Sequence, residues 1–493
     1  MTVPFKQLPL NIRVPLFYAE VDNSQANSAV AQQRALIIGQ ITGVGTGTPN
    51  VPVISQGVGD AQVVGGPTSM LAEMLAAYRL NDSFGEVWYL PIADDPGATA
   101  STGTVTFTAP PTASGVLSFY LGGRKYSLPV TAAQTAAQVA TALAALVNSN
   151  GTSPITAAAA AGVVTFTAAN KGPVGNNYDI RVNYVGSFGG EATPAGLAFT
   201  IVPMSGGATA PSLTAALANL GSQTFDFIVC PYTDAATLDA LKAFLNDTAG
   251  RWSWAQQLYG HVFACAAGTL GALTTLGLAR NNQHETILGV NNSPTPAHVI
   301  AAQYTAAAAI SLRNDPGLPL QTLVVQGLLA PPLASRFALT DQNTLLYDGI
   351  STFSVAADGT CSIQNLITTY QKNAFGNADN SYLQIETLFT LAFVLRDLAG
   401  VVTSKFARVK LAADGTRFAA GSAIVTPGTI RAELINRYTD LEYRGYVQNS
   451  TAFKASLVVE KDAANPNRVN VLWPAVLINQ LRIFAVLAQF RLV

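Results

Sequence analysis

LRIFAVLAQFRLV, Leu481 to Val493, is the stretch on which the architecture turns. It has the apolar, β-branched and aromatic content of a strand, broken only by Arg482, Gln489 and Arg491. A chain end is normally polar unless something ties it down. An apolar strand placed there must find a sheet edge or it becomes an aggregation site. It pairs inside its own domain, or it is donated to a neighbour. The other end poses the same question. Leu10, Ile12, Val14 and Leu16 fall on one face of an extended segment, with Asn11, Arg13 and Pro15 on the other. Pro15 cannot donate to a ladder, so this is an edge strand. It is either an ordinary first strand or an arm that adds to another subunit's sheet.

Composition bears on that choice. The 493 residues suggest about two to four domains with ample core. Charged residues make up 11%, against roughly 25% in ordinary soluble domains. So few charges protect a monomer poorly against self-association, which points to surface covered in an assembly. The net charge of −1 supplies no basic field for nucleic acid or for an acidic membrane. Cys230, Cys265 and Cys361 are widely spaced, with neither a disulfide framework nor metal-type spacing, and suit a reducing cytoplasm. Met1 to Leu10 carries prolines and Lys6 rather than the compact apolar stretch of a signal peptide. Val262 to Ala279 is uncharged, but Gly268, Gly271 and Gly277 interrupt it. It reads as a buried strand and a small-residue helix, not as a membrane span.

Strands and helices alternate along much of the chain. Strands are expected at Ala35–Ile41, Glu86–Ile92, Phe225–Cys230, His261–Ala266, Glu285–Val290 and Thr322–Gln326. Between them fall helices opened by Pro67-Thr68-Ser69, from Ser212, through Leu238, Leu241 and Leu245, near Leu270–Ala279, and over Pro296–Leu312. This alternation predicts a mostly parallel sheet covered by helices. Residues 93–205 interrupt it, rich in Thr, Ala, Gly and Ser. TGTVTFTAPP (from Thr102) and AGVVTFTAAN (from Ala161) echo one another, Gly122-Gly123 marks a hairpin, and Thr131–Asn148 reads as a helix. These residues read as an inserted β-rich domain, of the kind accepted at an exposed loop.

From about Asn343 the texture changes to α+β. A hairpin is expected over Ile350–Val355 and Cys361–Ile367, turning at Asp358-Gly359. Ser381–Leu398 reads as an apolar helix closed by Gly400. Pro427-Gly428-Thr429 opens another, with Ile430, Leu434, Tyr438 and Leu441 on one side and Gly445 as its C-terminal cap. Phe453–Lys461 and Arg468–Leu472 read as strands around Asn465-Pro466-Asn467, followed by a short helix near Pro474.

No constellation rises to an active site. Gly43-Val44-Gly45-Thr46-Gly47 follows a strand as a dinucleotide loop would, but Pro49, Asn50, Val51 and Pro52 replace the required helix. His261, His284 and His298 lack metal-ligand spacing, and His261 and His284, which begin apolar strands, read as structural. Asp94-Asp95 leads into Pro96-Gly97 as a turn, and Cys230 has no evident base. Neither a cofactor nor a metal is expected.

Three segments of the last third resemble the contractile tail sheath protein of Mu-like bacteriophages. They are Ile367–Gln371, DGTRFAAGSAIVTPGTIRAEL (Asp414–Leu434) and NPNRVNVLWPAVLINQLRIFAVLAQFRL (Asn465–Leu492). Ile12–Ala26 and GGPTSMLAEML (Gly65–Leu75) fit the same pattern. The resemblance implies a non-enzymatic polymer. Its subunits stack as hexameric rings around a tail tube, between baseplate and tail terminator, with assembly in the host cytoplasm and no membrane insertion. It implies a division into an N-terminal arm (1–22), a middle α/β domain (23–92 and 206–342), the inserted domain (93–205), an inner tube-proximal domain (343–480) and a C-terminal arm (481–493). The inner domain would be completed by exchanged strands. Their donors would be Leu10, Ile12, Val14, Leu16, Leu481, Ile483, Phe484, Val486 and Phe490. The acceptor hairpin would hold Phe453, Leu457, Val459, Val469 and Val471. Lys405, Arg408, Lys410 and Arg417 are candidates to face the tube, or else form a solvated basic strand and turn. The same fold would serve a phage-derived bacteriocin or secretion device. An α/β ligand-binding enzyme using the Gly43–Gly47 loop is the alternative of a different class.

Overall fold

The computed structural model describes residues 33–492. The donor positions Leu10, Ile12, Val14 and Leu16 lie outside that range. A six-stranded sheet organises the largest core. Its order is Glu285–Val290, His261–Ala267, Phe227–Val229, Ala35–Gln40, Val87–Ile92 and Val53–Ile54. All neighbours are parallel except the last pair. Ala35–Gln40 is buried along its whole length, as a central parallel strand between helical layers must be. Two helices pack on one another over the sheet. Met70–Asn81 starts where Ser69 Oγ accepts the Ala72 N–H. Ala297–Asn314 is buried on nearly every side. Among the described residues no helix is long and apolar enough to cross a membrane.

Residues 105–204 carry a second core of their own. The two echoing segments become adjacent strands, Thr102–Ala109 and Val163–Ala168, at the centre of a four-stranded antiparallel sheet. Alternation explains this. Val105, Phe107, Val164 and Phe166 point to the core while the threonines between them face out. Gly122 and Gly123 both have positive φ, as a two-residue hairpin turn requires. Thr135 and Gln138 form a capping box on the helix Ala136–Asn148. Polar groups join this unit to the two helices over the main sheet. Glu73 accepts hydrogen bonds from Tyr178 (2.8 Å) and His298 (3.0 Å) and pairs with Arg124 (3.3 Å). Burial alone would raise the Glu73 pKa, but His298, Arg124 and Tyr178 together hold it below the ordinary carboxylate range.

Several sequence expectations need correction. Thr322–Gln326 is not a strand of the main sheet. Thr322 has φ of 65°, and the segment instead bonds to the strand Cys361–Asn365, with Thr322 N–H donating to Ile363 O (2.7 Å) and Val325 N–H to Cys361 O (2.9 Å). The helix expected to close at Gly400 runs from Ile385 to Phe406. A mid-helix glycine costs only about 1 kcal/mol, and Leu398 and Phe406 on either side pack against a further core. No helix follows Pro474; Val476–Leu477 pairs with Val447–Gln448. Phe453 and Leu457 are not strand residues. Ser450–Ser456 is a helix, Phe453 is buried in it, and the strand begins at Val458. Finally, Leu345, Ile350, Phe353, Ile363 and Leu366 belong to the main core, so the division at residue 343 does not coincide with a boundary between cores. That boundary falls inside the long helix, where Ile385 and Phe389 join the main core and Val394 the third.

Candidate functional site

The third core is small and built around one helix. Pro427–Tyr443 opens on Thr426, whose hydroxyl accepts the Thr429 N–H, with proline in its first turn. Its face Ile430, Leu434, Tyr438 and Leu441 is buried. Tyr438 stacks on Phe453 at 3.7 Å between ring centroids, and Trp473 closes over Phe453 at 4.6 Å. The Tyr438 hydroxyl donates to Gln448 O (2.7 Å) and accepts from Val476 N–H (3.1 Å). This tyrosine thereby pins the short ladder that carries the chain toward its C-terminal end.

Two strands project from this core. Val458–Lys461 and Val469–Leu472 form a two-stranded antiparallel hairpin in the register Val459↔Val471 and Lys461↔Val469. Neither strand has a second partner among the described residues, so both outer edges present unpaired main-chain groups. A lone hairpin is marginal in water. Its inner face borders an apolar groove of about 480 Å³, lined by Val469 and Val471 together with Leu398, Val402, Phe406 and Leu411.

The C-terminal segment does not join this hairpin. After Ile478, whose N–H reaches Tyr446 O at 3.1 Å, no residue up to 492 enters a ladder. Ile483, Phe484, Val486 and Phe490 are all more than 70% exposed, and Leu481 is 67% exposed. The expected donor strand and the expected acceptor strands are therefore both unpaired with one another in the single subunit. Of the basic candidates, Lys405 is ion-paired with Glu433. Arg408, Lys410 and Arg417 are exposed on the segment that follows, with no carboxylate within 4 Å among the described residues.

Features that could signal catalysis are occupied structurally. The Gly43–Gly47 loop cannot cradle a phosphate, because the N–H groups of Gly45, Thr46 and Gly47 already bond to Thr42, Val63 and Val64 carbonyls. A Cβ on Gly45 would meet the Gly65 backbone at 2.6 Å, so this glycine serves close packing. His261 bonds to Thr286 (2.8 Å), and His284 to Asp247 (2.7 Å). Burial pushes the Cys230 thiol up to about 12, away from a reactive thiolate. Asp94 accepts from Gln40 (2.6 Å) and Lys171 N–H (3.0 Å). Among the described residues no group of three or more His, Cys, Asp or Glu could hold a metal ion. Sequence reasoning missed the pair of Arg396 with buried Asp226, which ties the long helix to the main sheet at 2.6 Å. The only signal was a charged residue inside an apolar helical pattern.

Comparison with known proteins bears on the same regions. Residues 206–369 match the phage tail sheath protein central domain, and residues 377–491 match the phage tail sheath C-terminal domain. The Mu-like prophage FluMu tail sheath protein of Haemophilus influenzae is 38% identical over 494 residues, covering 100% of both chains. Among solved structures, a sheath tail protein of Desulfitobacterium hafniense aligns at 14% identity and a TM-score of 0.44, over 95% of this chain and 100% of that one. One from Listeria innocua aligns at 12% and 0.46, over 92% and 94%.

Proposed function

The chain belongs to the phage tail sheath proteins, and from that premise we propose that it is the structural subunit of a contractile tail. In this reading it polymerises through exchanged terminal strands into stacked hexameric rings around a tail tube. It contacts baseplate and terminator proteins at the ends, assembles in the host cytoplasm, and contracts to drive the tube through the host envelope. It performs no catalysis.

The observation that carries this is the hairpin with two open edges together with an exposed apolar C-terminal segment that enters no ladder. Ile483, Phe484, Val486, Leu487, Phe490 and Leu492 are all exposed. Burying them on a neighbour contributes about 1.5–3 kcal/mol each. Ordering the ten residues 483–492 opposes this by about 1–2 kcal/mol per residue. One arm alone is therefore near balance, and main-chain hydrogen bonds of about 1 kcal/mol each tip it toward binding. A mesh in which each subunit gives and receives strands multiplies that small margin. Because ladder bonds ignore side-chain identity, such links survive while rigid bodies rotate about their hinges. Exposed Arg408, Lys410 and Arg417 suit a weak polar contact with a tube that must later slide past.

Deleting residues 483–493 tests the reading. The shortened protein is expected to stay folded and soluble and to form no tubes by electron microscopy. Hollow striated cylinders from the shortened protein would refute strand donation.

A further inference from the structure

The C-terminal segment leaves the body of the subunit at a single charged side chain. Arg482 Nη2 lies 2.5 Å from Glu386 Oε1 and 2.9 Å from Gln384 Oε1. Glu386 is fully buried in the first turn of the long helix. Its same oxygen accepts the Leu320 N–H at 2.8 Å. Gln321 Nε2 adds a 3.3 Å bond to Leu481 O. The Arg482 side chain is only 15% exposed, whereas Leu481 and Ile483 on either side are 67% and 82% exposed. The apolar residues are thus in water and the arginine is inside, the reverse of what solvation alone favours.

A donated strand needs such an anchor. Strand positions are about 3.3 Å apart, and a slip of one residue turns every side chain to the opposite face. A second copy can read Ile483, Phe484, Val486 and Phe490 in one register only if the root of the strand is held more tightly than that. The anchor also sits at a mechanical junction. Glu386 lies on the helix that enters both the main and the third core, and its Leu320 contact reaches the loop beyond the helix Ala297–Asn314.

We propose that Arg482 is the positioning residue of the C-terminal arm. Its ion pair with Glu386 fixes where residues 483–492 depart, sets the register in which a second copy of this chain receives them, and passes their load into the long helix. The proposal rests on the strand-donation reading above.

The experiment compares full-length wild type, R482Q, R482K and the double variant E386Q/R482Q with the chain lacking residues 483–493. Thermal unfolding reports the fold, sedimentation gives the concentration at which tubes form, and electron microscopy gives their regularity. R482Q is expected to raise that concentration about 10- to 100-fold and to blur the helical order. R482K, which keeps one donor for Glu386, is expected to recover most of the loss. Should the unpaired Glu386 unfold R482Q, the double variant leaves no buried charge unpaired and is expected to show the same assembly defect in a folded subunit. A folded R482Q or double variant that assembles at the wild-type concentration with wild-type order overturns the proposal, provided the shortened chain does not assemble. If the shortened chain also builds tubes, strand donation itself fails and the anchor falls with it.

Discussion

Phe453→Ala separates the third core from the rest of the molecule. The Phe453 ring is 1% exposed, lies parallel to Tyr438 at 3.7 Å with 5° between planes, and meets Trp473 edge-on at 4.6 Å. Losing the buried ring forfeits its transfer free energy and leaves a cavity, together about 3–5 kcal/mol. The aromatic contacts are worth about 0.5–1.5 kcal/mol beyond area, which places this site toward the upper end. Nine buried side chains make up the core in question. A unit of that size holds about 5–10 kcal/mol in all, so one substitution removes a third of it or more. The main core contains none of these residues and keeps its packing. Calorimetry is expected to show a new low-temperature transition for the C-terminal domain, with the principal transition in place. Near-ultraviolet circular dichroism should lose the stacked-ring signal, and tubes should not form because the hairpin has lost its base. A single transition shifted by less than about 1 kcal/mol, or normal tubes, would refute the reasoning that Phe453 holds the third core together and that assembly depends on that core.

Two other perturbations probe the subunit. Asn148 caps the outer edge of the Ile155–Ala160 strand, donating to Ala157 O at 2.7 Å and accepting from Ala157 N–H at 2.9 Å. Asn148→Ala should cost about 1–2 kcal/mol and expose an alanine-rich edge, so light scattering should rise on warming; unchanged scattering would show that the edge is protected otherwise. Burial, with the charge of His284 as a lesser cause, holds the His261 pKa well below its usual 6.5. The unfolded chain therefore gains a proton below that pH that the folded one does not. Stability should fall by up to about 1.4 kcal/mol per pH unit as pH drops below 6.5. His261→Gln should flatten that slope in urea titrations at pH 7 and 5.5, and equal slopes in both proteins would contradict the assignment.

Much of the fold was legible because local chemistry and tertiary context agree. The helix expected from Pro427 begins there and ends before Gly445, and its four expected apolar residues are buried. The echoing TVTFTA and VVTFTA segments became neighbours because both alternate with period two. The sequence misled where long-range packing outbid a local signal. Gly400 did not end its helix, since Leu398 and Phe406 had core to cover. Phe453 read as a strand residue, yet the ring it stacks on is 15 residues earlier in the chain, on another helix. Of the candidate site, the apolar character of residues 481–492 could be read from composition, but the Arg482–Glu386 pair could not. Glu386 and Arg482 are 96 residues apart, and nothing local marks either as buried.

Side-chain periodicity and turn chemistry act over a few residues, so the sequence by itself determined the alternating strands and helices, the alternating threonine-rich strands and the surplus of apolar residues over 481–492. Only the tertiary structure decided that these residues enter no ladder within the subunit, that a hairpin elsewhere keeps both edges open, and that Arg482 pairs with buried Glu386. Those outcomes depend on which distant surfaces meet, a matter of packing and desolvation across the whole subunit.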